Sequence, residues 1–383
     1  MTERLLDEVR ARLVATGETP SPAAVARAVR DSGVVLGPDS VLGLARRLHD
    51  DLVGTGPLAA VLADPQVSDV VVNGPDNVFV DRGRGLERVD IQFGDTEQVR
   101  ALAVRLAAAA GRRLDDAAPW VDAALPDGTR LHAVLPPVAP DGPLLSLRVL
   151  GRRTPTLDDL LESGTITRSL LPTLVAIVGR RLSYLVTGGT GVGKTTLLGA
   201  LLSLVPERER IVLVEDTAEL QPRHPHAVRL VARMPNVEGA GAVRLDDLVR
   251  QAMRMRPDRL VVGEVRGPEV VDMLAALNTG HEGGCATVHA NTSHDVPARV
   301  EALALATGLN QAAVRTQLRA GVDLVLHVAR LDGRRRLAEV AVLRGAGSQL
   351  RTELAVVVDP AGRTSRGPAL GALHERLGEA PAL

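Results

Sequence analysis

The spacing of apolar positions changes character twice along the 383-residue chain. At the start, Leu5, Leu6, Val9 and Leu13 recur at helical intervals, and Leu42, Leu44 and Leu48 repeat the pattern. Pro20, Pro22 and Pro38 punctuate these runs, so residues 1–53 predict a small helical appendage. From Gly54 the period shortens. VSDVVVNG, NVFVDRG and LERVDIQF read as short strands, separated by the turn signals Asn73-Gly74 and Arg82-Gly83. TEQVRALAVRLAAAAG predicts a helix stopped by Gly111, and TRLHAVLPP and LLSLRVL predict two further strands. Residues 54–150 are therefore expected to form an α+β domain with an antiparallel sheet.

After the linker-like GRRTPTLDDLLESG, strand and helix alternate. SYLVTG, RIVLVED, RLVVGE, CATVHAN and LVLHVAR are apolar throughout, with TTLLGALLSL, DDLVRQAMR and VVDMLAALNTG among them. Uniformly apolar strands imply a mostly parallel sheet covered on both faces, an α/β domain over residues 151–345. Pro360, Gly362, Gly367 and Pro368 lead us to expect a partly flexible tail over residues 346–383.

Composition narrows the function classes. Hydrophobic residues are 45% and charged residues 24%, the balance of a globular protein, while aromatics are 1%, so the cores rest on Leu, Val and Ala. The net charge of −1 supplies no field for nucleic acid, and aromatic side chains for base stacking are scarce, so direct nucleic-acid binding is not expected. A single cysteine, Cys285, excludes both an internal disulfide framework and a four-cysteine zinc site. The charged start lacks the apolar segment of a secretory signal, and no run of eighteen apolar residues spans a membrane. A cytoplasmic location is expected.

Of the 45 Lys and Arg residues, one is lysine. Lys194 lies in GGTGVGKT, which fits G-x-x-x-x-G-K-[ST] between a strand and a helix. Backbone N–H groups of Gly188, Gly189, Thr190, Gly191, Val192 and Gly193, with Thr196 opening the helix, would cradle phosphates. Lys194 would reach the β- and γ-phosphates and the Thr195 hydroxyl would bind Mg2+. A compact ammonium suits this cradle better than a bulky forked guanidinium.

Three other strands of the domain end in polar groups, where open α/β sheets bind ligands. Glu215, Asp216 and Glu219 follow RIVLV and suit Mg2+, with Asp216 and Glu219 the metal-handling candidates; the plain alternative is an acidic cap in solvent. RLVVGE ends at Gly263-Glu264, where an ordinary Walker B strand carries an aspartate for the metal. Glu264 is then the candidate to position the attacking water, unless it is a structural partner of Arg266 or Arg259. His281 and His289 flank CATV and could sense the γ-phosphate, although single histidines at strand ends are often structural.

Together these segments resemble the ATPase superfamily that powers type II and type IV secretion and type IV pili, with the tight-adherence pilus and conjugation-associated branch the nearest likeness. The resemblance rests on SDVVVNGPDNVFVDRGRG, GRRLDDAAPWVDAALPDGTRLHAVLPP, GGTGVGKTT, RIVLVEDTAEL and AMRMRPDRLVVGEVRGPEVVDMLAALNTGHEGGCATVHANT, across residues 54–330. Gly263-Glu264, the acidic box and the histidine box are habits of that family. It implies a RecA-like P-loop NTPase domain at the C-terminal side, ATP and Mg2+ as cofactors, a hexameric ring, and a platform of inner-membrane proteins at the cytoplasmic face. It also implies that arginines of the preceding domain close onto the phosphates, which by position are Arg130 and Arg148. The four-cysteine domain of type II secretion and pilus-assembly ATPases is missing, which argues against that branch. On the residues alone, a RecA-type motor stimulated by nucleic acid and a nucleotide-gated scaffold with little turnover stay open.

Overall fold

A computed structural model describes the chain except residues 1–2, 17–20, 35, 53, 84, 150–153, 236–238, 281, 346 and 379–383, and except the side chains of residues 3–4, 6–7, 10, 14, 46–47 and 49–52. The chain divides into two compact units, Met1–Arg152 and Arg153–Leu383.

The first unit opens with helices α1 (Glu3–Thr16), α2 (Pro22–Asp31) and α3 (Pro38–Leu52). Their apolar stripes, including Val9, Val25, Leu44 and Leu48, bury against one another in a small core of their own. Ser21 starts α2 by accepting the Ala24 N–H, with Pro22 at the first helical position where its missing N–H loses nothing. After the short α4 (Ala59–Ala63), strands β1 (Asp69–Asn73), β2 (Val78–Asp81) and β3 (Leu86–Val89) precede α5 (Thr96–Ala109). Strands β4 (Trp120–Ala124), β5 (Arg130–Val134) and β6 (Leu144–Arg148) follow. The antiparallel sheet runs β3-β2-β1-β6-β5-β4. Strict alternation in β4 and β6 turns Val121, Ala123, Leu145 and Leu147 toward a core that also holds Val99, Leu102 and Leu106 of α5. Strand β4 carries the Trp120 side chain on its exposed positions, and its polar alternation hid it among the turn residues around it.

The second unit begins with α6 (Leu157–Glu162), closed at its start by a capping box between Thr156 and Asp159, and α7 (Leu171–Gly179). Then come β7 (Tyr184–Thr187), α8 (Lys194–Leu202), β8 (Ile211–Glu215), β9 (Ala227–Val231), α9 (Leu245–Ala252), β10 (Arg259–Val265), α10 (Glu269–Leu277) and β11 (Cys285–Val288). The unit ends with α11 (Val296–Leu305), α12 (Gln311–Gly321), β12 (Leu324–Leu331), β13 (Arg334–Arg344), β14 (Arg351–Val358), β15 (Thr364–Arg366) and α13 (Leu370–Leu377). Nine strands form one sheet in the order β15-β14-β13-β12-β7-β11-β10-β8-β9. The six from β12 to β9 are parallel, and β13 to β15 extend them antiparallel. Separate apolar clusters cover the two faces, as expected for strands that are apolar on both sides.

The C-terminal residues depart from the expected tail. Ala355, Val356, Val358, Leu373 and Leu377 are buried in the same core as Val186 and Leu197. Gly362 makes the β14–β15 turn, where its N–H donates to Asp359 O at 2.9 Å. Proline and glycine here mark a tight turn between paired strands, not an open chain.

Candidate active site

Four of the six parallel strands, β7, β8, β10 and β11, deliver polar groups at their carboxyl ends. The loop Gly188–Gly193 leaves β7 and enters α8 through Gly193, whose φ of 99° is left-handed. Gly188 has no room for a side chain, because a Cβ there would collide with the Val328 carbonyl oxygen of the neighbouring β12. Lys194 is 7% exposed and its Nζ donates to Gly188 O at 3.1 Å and Gly189 O at 2.7 Å. Burial lowers its pKa, while the nearby carboxylates of Glu264 and Glu219 oppose the shift. Thr190 is exposed, and Thr195 and Thr196 are half-buried on the first turn of α8.

Glu264 owes its direction to a β-bulge. Val262 pairs with Ala286 but Val265 pairs with Val288, so β10 holds one residue more than β11 across this interval. The Thr287 hydroxyl donates to Gly263 O at 2.6 Å and pins the bulge. Glu264 Oε1 then lies 3.0 Å from His289 Nε2, and the same Nε2 lies 3.2 Å from Lys194 Nζ. One nitrogen cannot donate to Glu264 and accept from Lys194 at once, so the imidazole tautomer decides which partner it bonds. Burial first and then the Lys194 charge lower the His289 pKa, with Glu264 opposing, which favours the neutral ring. Glu264 is paired with neither Arg266 nor Arg259. The Arg259 guanidinium, 1% exposed, instead donates to Glu209 Oε2 at 2.7 Å and Val178 O at 2.9 Å.

The acidic box separates into two jobs. Glu215 is 2% exposed; its Oε1 accepts the N–H groups of Glu219 at 3.0 Å and Leu220 at 2.8 Å, and its Oε2 accepts from Arg229 Nε at 2.8 Å. These bonds hold both Glu215 oxygens and tie the start of the loop after β8 to Arg229. Glu215 also accounts for Gly263: a Cβ there would sit 2.8 Å from Glu215 Cγ, so an aspartate at that position has no room. Asp216 pairs with Arg266. Burial raises the Asp216 pKa; Arg266 opposes this, and the fields of Glu269 and Glu264 reinforce it. A cation would relieve that crowding of negative charge. Among the described residues no three His, Cys, Asp or Glu side chains converge as a cage. Mg2+ characteristically takes one or two carboxylates plus phosphate oxygens and waters, and the hard oxygens of Thr195, Asp216 and Glu219 fit that donor set.

His281 lies outside the described residues. Arg130 and Arg148 belong to the first unit, where they are direct cross-strand neighbours on β5 and β6. Like charges so placed repel, and carboxylates answer them: Asp69 Oδ1 lies 3.2 Å from Arg148 Nε, and Asp122 Oδ2 lies 3.8 Å from Arg130. Sequence reasoning passed over His327. It is 4% exposed on β12, paired in register with Thr187, and its Nδ1 lies 3.0 Å from the Thr187 hydroxyl beneath the phosphate loop. A lone polar residue in LVLHVAR was the available signal. Cys285 is buried beside Tyr184, and burial pushes its thiol up to about 12, so it is inert.

Comparison with known proteins gives the chain's family. Residues 51–355 match the family model described as type II/IV secretion system protein. The chain is 55% identical over 350 residues to a putative conjugal transfer protein of Mycobacterium tuberculosis, covering 90% of this chain and 98% of that one. It is 32% identical over 308 residues to the conjugal transfer protein TrbB of Rhizobium radiobacter, covering 79% and 91%. The fold is shared with a crystal structure of the pilus retraction motor PilT with bound ADP, at 20% identity and a TM-score of 0.52, covering 75% of this chain and 82% of that one. The chain belongs to the type II/IV secretion system protein family.

Proposed function

We propose that the protein is a Mg2+-dependent ATPase motor that powers a conjugation, secretion or pilus apparatus at the cytoplasmic membrane. The observation that supports this best is the line of contacts from Lys194 through His289 to Glu264 at the mouth of the phosphate loop. It joins a phosphate-binding cation, a ring able to report on the γ-phosphate, and a carboxylate aimed at the same point. Lys194 and the loop N–H groups bind the β- and γ-phosphates, and Thr195, Asp216 and Glu219 hold the metal. The metal, when bound, neutralises charge on the phosphates. Glu264 orients water for attack, and arrival of a phosphate draws Lys194 away from the Gly188 and Gly189 carbonyls. Arg130 and Arg148 supply further positive charge to the phosphates.

Among the described residues no helix is long and apolar enough to cross a membrane. Attachment runs through membrane-embedded partner proteins and the working form is a homo-hexamer, as the family resemblance implies. The deciding experiment compares Glu264→Gln with the wild type. ATP binding should persist while turnover falls by about 10²–10⁴-fold, the usual share of a positioned acid–base group. Unchanged turnover would refute the assignment.

A further inference from the structure

The groups aimed at the reactive end of the nucleotide lie on one flank of β7. In the sheet order, β11, β10 and β8 carry His289, Glu264 and the acidic box on that side, and β12 with β13 occupies the other. A nucleotide whose γ-phosphate meets Lys194, His289 and Glu264 runs its α-phosphate and nucleoside away from them, past the start of α8. The β12–β13 hairpin borders that start. Leu331 pairs with Arg334 around the two-residue turn Asp332-Gly333, and both turn residues have positive φ, as such tight turns require. Three arginines follow the turn. Arg334 is exposed, while Arg336 is 7% exposed and donates to Gly164 O at 3.2 Å. Arg335 lies between them and takes the opposite side of the strand from Arg336, with its stem at the phosphate loop. The place a Cβ would take on Gly193 is 3.6 Å from Arg335 Cδ.

Purine bases are commonly held by an aromatic face. The ATP-binding unit contains one Phe, Tyr or Trp side chain, Tyr184, and it is 2% exposed in the core beside Cys285. A guanidinium is planar and delocalised, and it stacks on aromatic rings where an ammonium does not. We propose that Arg335 is a nucleoside-contacting residue, its guanidinium plane lying against the base of the bound nucleotide. This rests on the reading of the loop as an ATP site.

The test measures binding of ADP and of tripolyphosphate, which lacks the nucleoside, to the full chain by calorimetry. In Arg335→Ala, ADP affinity should fall about 3- to 30-fold, the range of a partly desolvated cation–π contact, while tripolyphosphate affinity stays unchanged. Arg335→Lys keeps the charge but loses the plane and should remain weakened for ADP. Equal loss for both ligands makes Arg335 a phosphate contact and overturns the proposal; so does no loss for either, or full rescue by lysine. Thermal melts of the variants identify a chain that has merely unfolded, and Arg335→Lys keeps the proposal testable there. Lys194→Ala should abolish binding of both ligands. A wild-type chain that binds neither overturns the site reading and the base contact together.

Discussion

Gly263 is the position where an ordinary metal-binding strand would carry aspartate, and the structure gives a steric reason for its absence. Replacing Gly263 with alanine puts a Cβ 2.8 Å from Glu215 Cγ. Glu215 cannot swing aside freely, since two backbone N–H groups and Arg229 hold its oxygens at 2.8 to 3.0 Å. Overpacking a buried site of this kind costs about 1–3 kcal/mol. For a unit of this size, each kcal/mol lowers Tm by about 2–4 °C, so Gly263→Ala should melt about 2–12 °C below the wild type. Removing the obstructing atom removes the penalty. In Glu215→Ala only Cβ remains, 3.5 Å from the new methyl group, which is ordinary contact. Gly263→Ala should therefore cost almost nothing in that background, a coupling of about 1–3 kcal/mol in a double-mutant cycle. The assay is differential scanning fluorimetry of the four proteins, with ATPase rates beside it. Gly263→Ala that melts with the wild type, or that loses as much stability in Glu215→Ala, would sink the steric account.

Further expectations follow from the same geometry. Lys194→Arg should lower ATPase by about 10²-fold or more, because the ammonium fits between two carbonyls and His289 where a guanidinium does not; an active arginine variant would contradict this. Burial holds the His327 pKa below its ordinary 6.5, so the unfolded chain takes up its proton first as pH falls. Stability should then decline from pH 6.5 down to the folded-state pKa, and His327→Gln should flatten that decline in urea melts at pH 7.5 and 5.5; equal slopes would count against it. Leu373→Ala should destabilise by about 2–5 kcal/mol, as for other buried leucines, and a value near zero would restore the reading of residues 346–383 as a loose tail.

Much of the phosphate site was legible because its parts are contiguous. GGTGVGKT needs only a strand before it and a helix after it, and the apolar runs on either side supplied both. The polar ends of RIVLVED, RLVVGE and CATVHAN were legible for the same reason: parallel strands place their carboxyl ends on one edge, whatever their order. The order itself, and with it the contacts, depends on pairing between segments far apart in the chain. No local pattern shows that β10 bulges at Gly263-Glu264, since the bulge is defined by the count of residues on β11. Nor does the composition of VEDTAEL distinguish Glu215, tied to Arg229 and two backbone N–H groups, from Asp216, which shares a negative field with Glu264 and Glu269.

The sequence by itself determined that this chain folds a glycine-rich loop between a strand and a helix of a parallel sheet, because the loop, its strand and its helix are adjacent and their chemistry is local. The tertiary structure alone decided which carboxylate of the acidic box is buried and bonded on both oxygens and which lies in the field of Glu264 and Glu269, why Gly263 has no room for an aspartate, and that residues 351–377 complete the core. Each of those outcomes depends on atoms brought within a few ångströms from distant parts of the chain, where steric fit and burial, not residue type, set the role.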